Sequence, residues 1–157
     1  MRLLEYEHAY GTRCFVSDGQ ELARALRAAY WALRRQTNQA LVAHGVTSDQ
    51  FVLLSRLADE DAITQQELAR RTSSDANTIR PMLILLEKRG LITRQPHPSD
   101  GRARCVVLTA EGRRRFRAMF KDTEQCRGQL LAAVSYGDVK GLLNNLKEIA
   151  QVLQNPT

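Results

Sequence analysis

Cysteine, aromatic residues and long apolar runs are all scarce in this 157-residue sequence, and each shortage removes a class of protein. Cys14, Cys105 and Cys126 are odd in number and show no C-x-x-C spacing, so neither a disulfide framework nor a zinc site is expected. The aliphatic runs Met82 to Leu86 and Leu130 to Val134 have five residues each. A membrane-spanning helix needs roughly 20. The first dozen residues include Arg2, Glu5, Glu7 and His8 and hold no hydrophobic stretch of secretory length, which reads as a cytosolic chain. There is no glycine-rich phosphate loop and no nucleophile elbow. His8, His44 and His97 lack metal-ligand spacing, so no metal, cofactor or catalytic centre is expected. The length suits one domain, or a small core carrying extra helices, rather than two independent domains.

What is abundant is positive charge in one place. Between Ala62 and Arg117 there are twelve Lys/Arg against five Asp/Glu, while the rest of the chain is close to neutral. Concentrated positive charge is the electrostatic footprint of a polyanion binder, although a solvated basic face has the same composition.

Apolar periodicity organises the chain. Residues 1–17 lack it and read as an arm. From Leu22, the positions Leu26, Ala29, Leu33 and Ala40/Leu41 keep a helical period up to Gly45, with Asp18 and Glu21 as a capping pair. Thr47 and Gln50, flanked by Val46 and Phe51, predict a second helix running to about Asp59; Thr64 and Glu67, flanked by Ile63 and Leu68, predict a third. The turn residues Thr72-Ser73-Ser74-Asp75 end the third, and one of the serines is expected to cap a fourth. That helix puts Ala76, Ile79, Leu83 and Leu86 on one face and ends at Gly90. Leu91 to Gln95 and Arg104 to Leu108 read as strands joined through Pro96 to Gly101. Thr109 is expected to cap a fifth helix with Phe116, Phe120, Cys126, Leu130 and Val134 on its apolar side, up to a break at Tyr136-Gly137-Asp138. A sixth carries Val139, Leu142, Leu143, Leu146, Ile149 and Leu153.

Helix, tight turn, helix, hairpin is the order of a winged helix-turn-helix, whose second helix enters the major groove. With Ile79, Leu83 and Leu86 turned inward, Ser74, Asn77, Thr78 and Arg80 point out near the helix start. Asn pairs with adenine, Arg with guanine, Ser or Thr with phosphates or bases; a plain polar face is the other reading. Thr64, Gln65 and Ser73 before that helix, and Arg102 and Arg104 on the hairpin, complete the candidate DNA-contacting set. Asp100 is placed to orient Arg102, and a held Arg suits the negative potential of a narrow minor groove. Pro81 predicts a bend, read either as a tilt of the first turns against the groove or as an imperfection tolerated by packing.

The stretch Leu83-Ile84-Leu85-Leu86-Glu87-Lys88-Arg89-Gly90-Leu91-Ile92, then Pro98-Ser99-Asp100-Gly101-Arg102-Ala103-Arg104-Cys105-Val106-Val107-Leu108-Thr109 and Glu111-Gly112, resembles the multiple antibiotic resistance regulators, the MarR family. The likeness runs from about Leu22 to Leu153. It implies a mainly α-helical fold with a small β-hairpin wing: an arm over residues 1–17, a first dimerisation helix over 18–45, a winged helix-turn-helix core over 46–109, and C-terminal dimerisation helices over 110–157. It also implies a homodimer on pseudo-palindromic double-stranded DNA and a ligand-responsive repressor in the cytoplasm, with Asp100 and Arg102 matching the family's D-x-R motif. His97 stands where an acidic residue is usual. Leu142, Leu146, Ile149 and Leu153 are the dimerisation candidates. In this family small aromatic compounds bind between the dimerisation helices and the core, where Tyr30, Trp31, Phe51 and Phe116 could form aromatic walls or could be plain core.

Two rival functions stay open at this point. Thr78-Ile79-Arg80-Pro81-Met82-Leu83 looks like the recognition helix of the organic-hydroperoxide-sensing branch, whose reactive cysteine lies near the start of its first long helix. Cys14 is about nine residues too far upstream to match, and Ala23 lies nearer the equivalent place; Cys105 and Cys126 read as core. A winged-helix module used only for protein contacts is the other rival, because a fold does not fix a function.

Overall fold

A computed structural model describes residues 12–60, 62–97, 103–134 and 137–154, with side chains from residue 18 onward. The expectations placed on residues 1–11, on the side chain of Cys14, on Asp100 and Arg102 at the hairpin tip, and on Tyr136 fall outside the described residues.

Helix α1 spans Thr12–Leu41. It begins before the expected Asp18/Glu21 cap, so both residues lie inside the helix and residues 12–17 belong to it rather than to an arm. A short 3-10 turn, Val42–His44, follows and ends at Gly45, whose φ of 62° is the left-handed conformation glycine adopts without a Cβ clash. Helix α2, Ser48–Asp59, opens on a complete capping box: the Gln50 amide donates to Thr47 Oγ1 at 3.2 Å, and the Thr47 amide donates to Gln50 Oε1 at 3.1 Å. Two orphan amides are thereby satisfied.

Strand β1, Ile63–Thr64, is too short to announce itself by alternation. Thr64 ends it and caps helix α3, Gln65–Arg71, accepting from the Glu67 amide. The Glu67 side chain does not complete a box; it turns forward to Arg70 and Arg71. Helix α4, Ala76–Lys88, is capped by Asp75 rather than by a serine. Its Oδ1 accepts from the amides of Asn77 and Thr78, both at 2.9 Å, and its Oδ2 from Thr78 Oγ1 at 2.6 Å. A carboxylate serves the helix start better than a hydroxyl because it also opposes the positive end of the dipole. Ala76, expected on the core face, is exposed, since at the first helical position it lies beyond the core's edge. The helix ends in a Schellman arrangement: Gly90, with φ 68°, donates to the Glu87 carbonyl and Leu91 to that of Leu86.

Strands β2, Ile92–Pro96, and β3, Arg104–Leu108, pair antiparallel with Ile92 opposite Leu108 and Pro96 opposite Arg104. Because β1 pairs with the other edge of β3, the sheet is three-stranded in the order β1-β3-β2 rather than a bare hairpin. Thr109 caps helix α5, Ala110–Asp122. The long fifth helix expected to reach Tyr136 is divided at Thr123 into α5 and α6, Glu124–Ala132. Thr123 Oγ1 bonds back to the carbonyls of Met119 and Phe120, competing with the helix ladder, and Phe120 and Leu130 are exposed rather than buried. Helix α7 spans Val139–Gln154.

The core is continuous. Leu53, Leu54 and Leu57 of α2 meet Ile63, Leu68, Ile79, Leu83, Leu86, Leu91, Ile92, Val106 and Met119, closed by Leu41 at the end of α1. Each such side chain contributes about 1.5–3 kcal/mol of burial free energy. It is the helix-turn-helix and wing that own this core. Helices α6 and α7 bury no residue, and Leu22, Tyr30, Trp31 and Leu33 of α1 are exposed.

Candidate functional site

The outer surface of the helix-turn-helix collects most of the sequence-derived candidates. Asn77, Thr78 and Arg80 are exposed on the first turns of α4, and Ser74 is half-buried just before it. Thr64 is committed as the α3 cap, and with Ser74 and Ala76 it borders a hollow between α3 and α4. Gln65 reaches across from α3, Nε2 donating to the Ala76 carbonyl at 3.4 Å, and so ties α3 to the N-terminal end of α4. Ser73 sits at φ 51°, a left-handed turn position, with its hydroxyl accepting from Gln154 Nε2 at 3.3 Å. Arg104 is exposed at the loop end of the hairpin ladder, which His97 closes by donating its amide to the Ala103 carbonyl. Thr78 Oγ1 faces Asp75, whose carboxyl is held below its ordinary range by the Thr78 hydroxyl and amide. This surface offers an anionic groove the guanidiniums of Arg80 and Arg104, the Asn77 side-chain amide and several hydroxyls.

Two cavities share a wall formed by Tyr30, Arg34, Asp49 and Val52. The first, about 250 Å³, is lined by Tyr30 and Leu33 of α1, Phe51 and Val52 of α2, and Cys126, Arg127 and Leu130 of α6, among others. The second, about 500 Å³, reaches from the same Tyr30, Arg34, Asp49 and Val52 to Ser73, Ser74, Thr78, Ile79 and Met82 of α4 and the turn before it. Arg34 Nη2 donates to Asp49 Oδ2 at 2.7 Å within that shared wall. Two polar atoms of the first cavity's lining are buried without a partner among the described residues: Arg34 Nε, and Ser48 Oγ on a residue only 7% exposed.

Of the four aromatic candidates, Tyr30 and Phe51 line the first cavity and Trp31 and Phe116 do not. Trp31 packs edge-on to Tyr30 and lies under the Arg34 guanidinium, 5.1 Å from its ring centroid, while Phe116 stacks on Phe51 at 5.6 Å. Both therefore support lining residues instead of forming the wall. The polar lining was not singled out from the sequence. Arg34 could have been, since it lies one turn after Tyr30 and must share its face. Ser48 and Arg127 join the site only through tertiary packing. Cys105 is buried in β3 as expected, whereas Cys126 is half-buried at the cavity wall.

A three-stranded sheet behind two helices joined by a tight turn, with a capped, outward-facing α4, is the geometry on which comparison with known proteins can be judged. Residues 46–103 match the model of the MarR family. The chain is 31% identical to a probable transcriptional regulator from Pseudomonas aeruginosa, with a TM-score of 0.72 over 81% of this chain and 95% of the other. The chain belongs to the MarR family. It is a winged helix-turn-helix transcriptional regulator. Among solved MarR-type folds, the repressor CouR of Rhodococcus jostii, crystallised on a 23-mer DNA duplex, is 27% identical with a TM-score of 0.73, covering 82% of this chain and 92% of that one. BpsR of Bordetella bronchiseptica, whose DNA binding is regulated by 6-hydroxynicotinic acid, is 25% identical with a TM-score of 0.73, covering 82% and 91%. The enzyme reading has no support in a family of regulators. No helix among the described residues is long and apolar enough to cross a membrane.

Proposed function

We propose that this MarR-family chain is a cytoplasmic, non-catalytic repressor that binds a pseudo-palindromic DNA duplex as a homodimer and releases it when a small aromatic effector enters the cavity between α1, α2 and α6. The observation that carries the DNA reading is the exposed set Asn77, Thr78 and Arg80 on the first turns of a helix whose opposite face is locked into the core. CouR, bound to duplex DNA, supports the same reading by likeness. Thr64, Gln65, Ser73 and Ser74 would then face the backbone at the groove edge, and Arg102, oriented by Asp100, would enter the minor groove beside Arg104.

The effector reading rests on the first cavity. A cavity of about 150 Å³ is known to hold benzene, so 250 Å³ has room for one substituted ring. The surface of this cavity is almost wholly apolar, which suits a ring, and Arg34 and Arg127 in its lining favour a ring carrying an acid or carbonyl over a hydrocarbon. BpsR's 6-hydroxynicotinic acid is a ligand of that kind.

Selection of genomic fragments by the purified protein, followed by footprinting and titration of the complex with 6-hydroxynicotinic acid and other one-ring acids, tests both halves. A protected pseudo-palindrome that is released by one of these acids is the expected result. A protein that retains no duplex at physiological salt would be a protein-contact module instead.

A further inference from the structure

Pro81 is the anomaly in α4. It stands six residues into the helix, where it removes one backbone hydrogen bond and crowds the preceding turn, a costly placement. Packing does not explain it, because Pro81 is exposed. Helical spacing then decides what it is exposed to. Ile79, Leu83 and Leu86 are buried in the core, and Asn77, Pro81, Ile84 and Lys88, all exposed, repeat at four, seven and eleven residues along the opposite side. Pro81 therefore lies at the middle of the outward face, one turn beyond Asn77 and beside Arg80. That face is polar at its start and apolar at its centre.

From this placement we infer that Pro81 is a specificity-determining residue that reads a thymine by packing its ring methylenes on the C5-methyl group. The inference rests on the proposed entry of α4 into the major groove. The chemistry leaves one candidate target: the thymine methyl is the only apolar group that any base pair presents in that groove. Proline brings three methylenes and no amide to compete with the donors of Asn77 and Arg80. It also brings rigidity, so no side-chain rotamer freedom is lost on contact. One helical turn advances 5.4 Å while successive bases are 3.4 Å apart, so the thymine falls about two base pairs from the base that Asn77 contacts.

Uracil is the probe, because it lacks only the methyl and pairs as thymine does. Each thymine of the selected operator is replaced by uracil in turn and affinity is measured for the wild-type dimer, P81A and P81S. One thymine per half-site, about two base pairs from the Asn77 contact, should show a loss of roughly fourfold in the wild type, the worth of one buried methyl. P81S should bind the thymine and uracil forms of that position equally and P81A should keep only part of the wild-type preference, with random-duplex affinity unchanged as the sign of an intact fold. Wild-type binding that is indifferent to every uracil overturns the inference while leaving the DNA-binding reading in place. So does a P81A protein that keeps the full methyl preference at that position. Absence of binding to the unmodified operator overturns both.

Discussion

Arg34 and Asp49 hold each other at 2.7 Å in the wall between the effector-sized cavity and the hollow behind the reading helix. The pair joins α1 to the first turn of α2, and the Arg34 Nε is buried without a partner among the described residues. An acid entering the cavity would compete with Asp49 for the Arg34 cation in its lining. Arg34→Gln should weaken the binding of an effector acid about 10- to 100-fold, the range for a lost charge-assisted hydrogen bond. Operator affinity without effector should stay near wild type, because no DNA-facing residue is touched. Calorimetry with the acid and gel shift without it separate the two effects. An equal loss in both would make the pair a structural strut.

At the reading surface, Arg80→Ala should weaken the operator complex by about 1–3 kcal/mol, as expected for a base-edge contact, and weaken the complex with random duplex much less. Equal losses on both DNAs would demote Arg80 to a phosphate contact. Fluorescence anisotropy at fixed salt reads the difference, since affinity for both DNAs changes steeply with ionic strength.

Gly112 fixes how α5 docks on the wing. A Cβ there would stand 1.9 Å from the Leu91 carbonyl oxygen, which also accepts the Thr109 amide. Backbone on both sides leaves nothing to give way, so Gly112→Ala should lower the thermal midpoint sharply or prevent folding. Gly90 is the contrast: its added Cβ meets nothing within 4 Å, and only the left-handed φ of 68° is at stake. Gly90→Ala should therefore cost only about 1–2 kcal/mol. Comparable losses in the two variants would show that the clash at Gly112 is relieved by movement of α5.

These two glycines also show what the sequence made legible. Gly90 was readable as a helix terminator because Lys88 and Arg89 precede it and an apolar period stops there, and both facts are local. Gly112 needed the tertiary approach of Leu91, twenty-one residues away. The same division holds across the fold. The capping residues Thr47, Thr64 and Thr109 and the core face of Ile79, Leu83 and Leu86 follow from spacing alone. The two-residue strand β1 has no period to detect, the break at Thr123 arises from a hydroxyl competing for helix carbonyls, and Asp75 displaced two serines as cap by virtue of its charge. At the site, the outward residues of α4 followed from the inward ones. Of the aromatic residues chosen for an effector wall, Tyr30 and Phe51 line the cavity, while Trp31 and Phe116 pack against them from outside the lining.

Acid should loosen α3. Glu67 takes bonds from Arg70 at 2.6 and 2.8 Å and from Arg71 at 2.5 Å, and these arginines lower its carboxyl from 4.5 to about 2. Between those values the unfolded chain binds the proton and the folded chain does not, so this contribution is complete above about pH 4.5 and is lost as pH falls toward 2. Solvent screens the group, so the effect is modest and largest at low salt. Urea midpoints measured from pH 5 to pH 2.5 should fall less steeply in Glu67→Gln than in wild type. Parallel curves would assign the acid sensitivity to other carboxylates.

Helix α7 carries the strongest demand for a second chain. None of its residues is buried, and Leu142, Leu143, Leu146, Val152 and Leu153 are all exposed, as are Leu22 and Leu33 on α1. A stable association buries about 1,600 Å² in total, and two long helices per chain with apolar stripes can supply an area of that order. Two-fold pairing would set the same stripe against itself and relate the two α4 helices by the same axis. Their half-sites would then lie about 10 to 10.5 base pairs apart. Replacing Leu146 and Ile149 together with Glu puts four carboxylates into that contact while leaving α4 and its core untouched. Light scattering should report half the wild-type mass at micromolar concentration, and footprinting should show loss of paired protection even though the far-ultraviolet circular dichroism of the helices remains. The two readouts depend on each other, because a single recognition helix makes half the phosphate contacts and so has a shallower salt dependence as well as a weaker grip. A double variant that still ran as a dimer and protected both half-sites would show that the stripe on α7 is not what holds the two chains together.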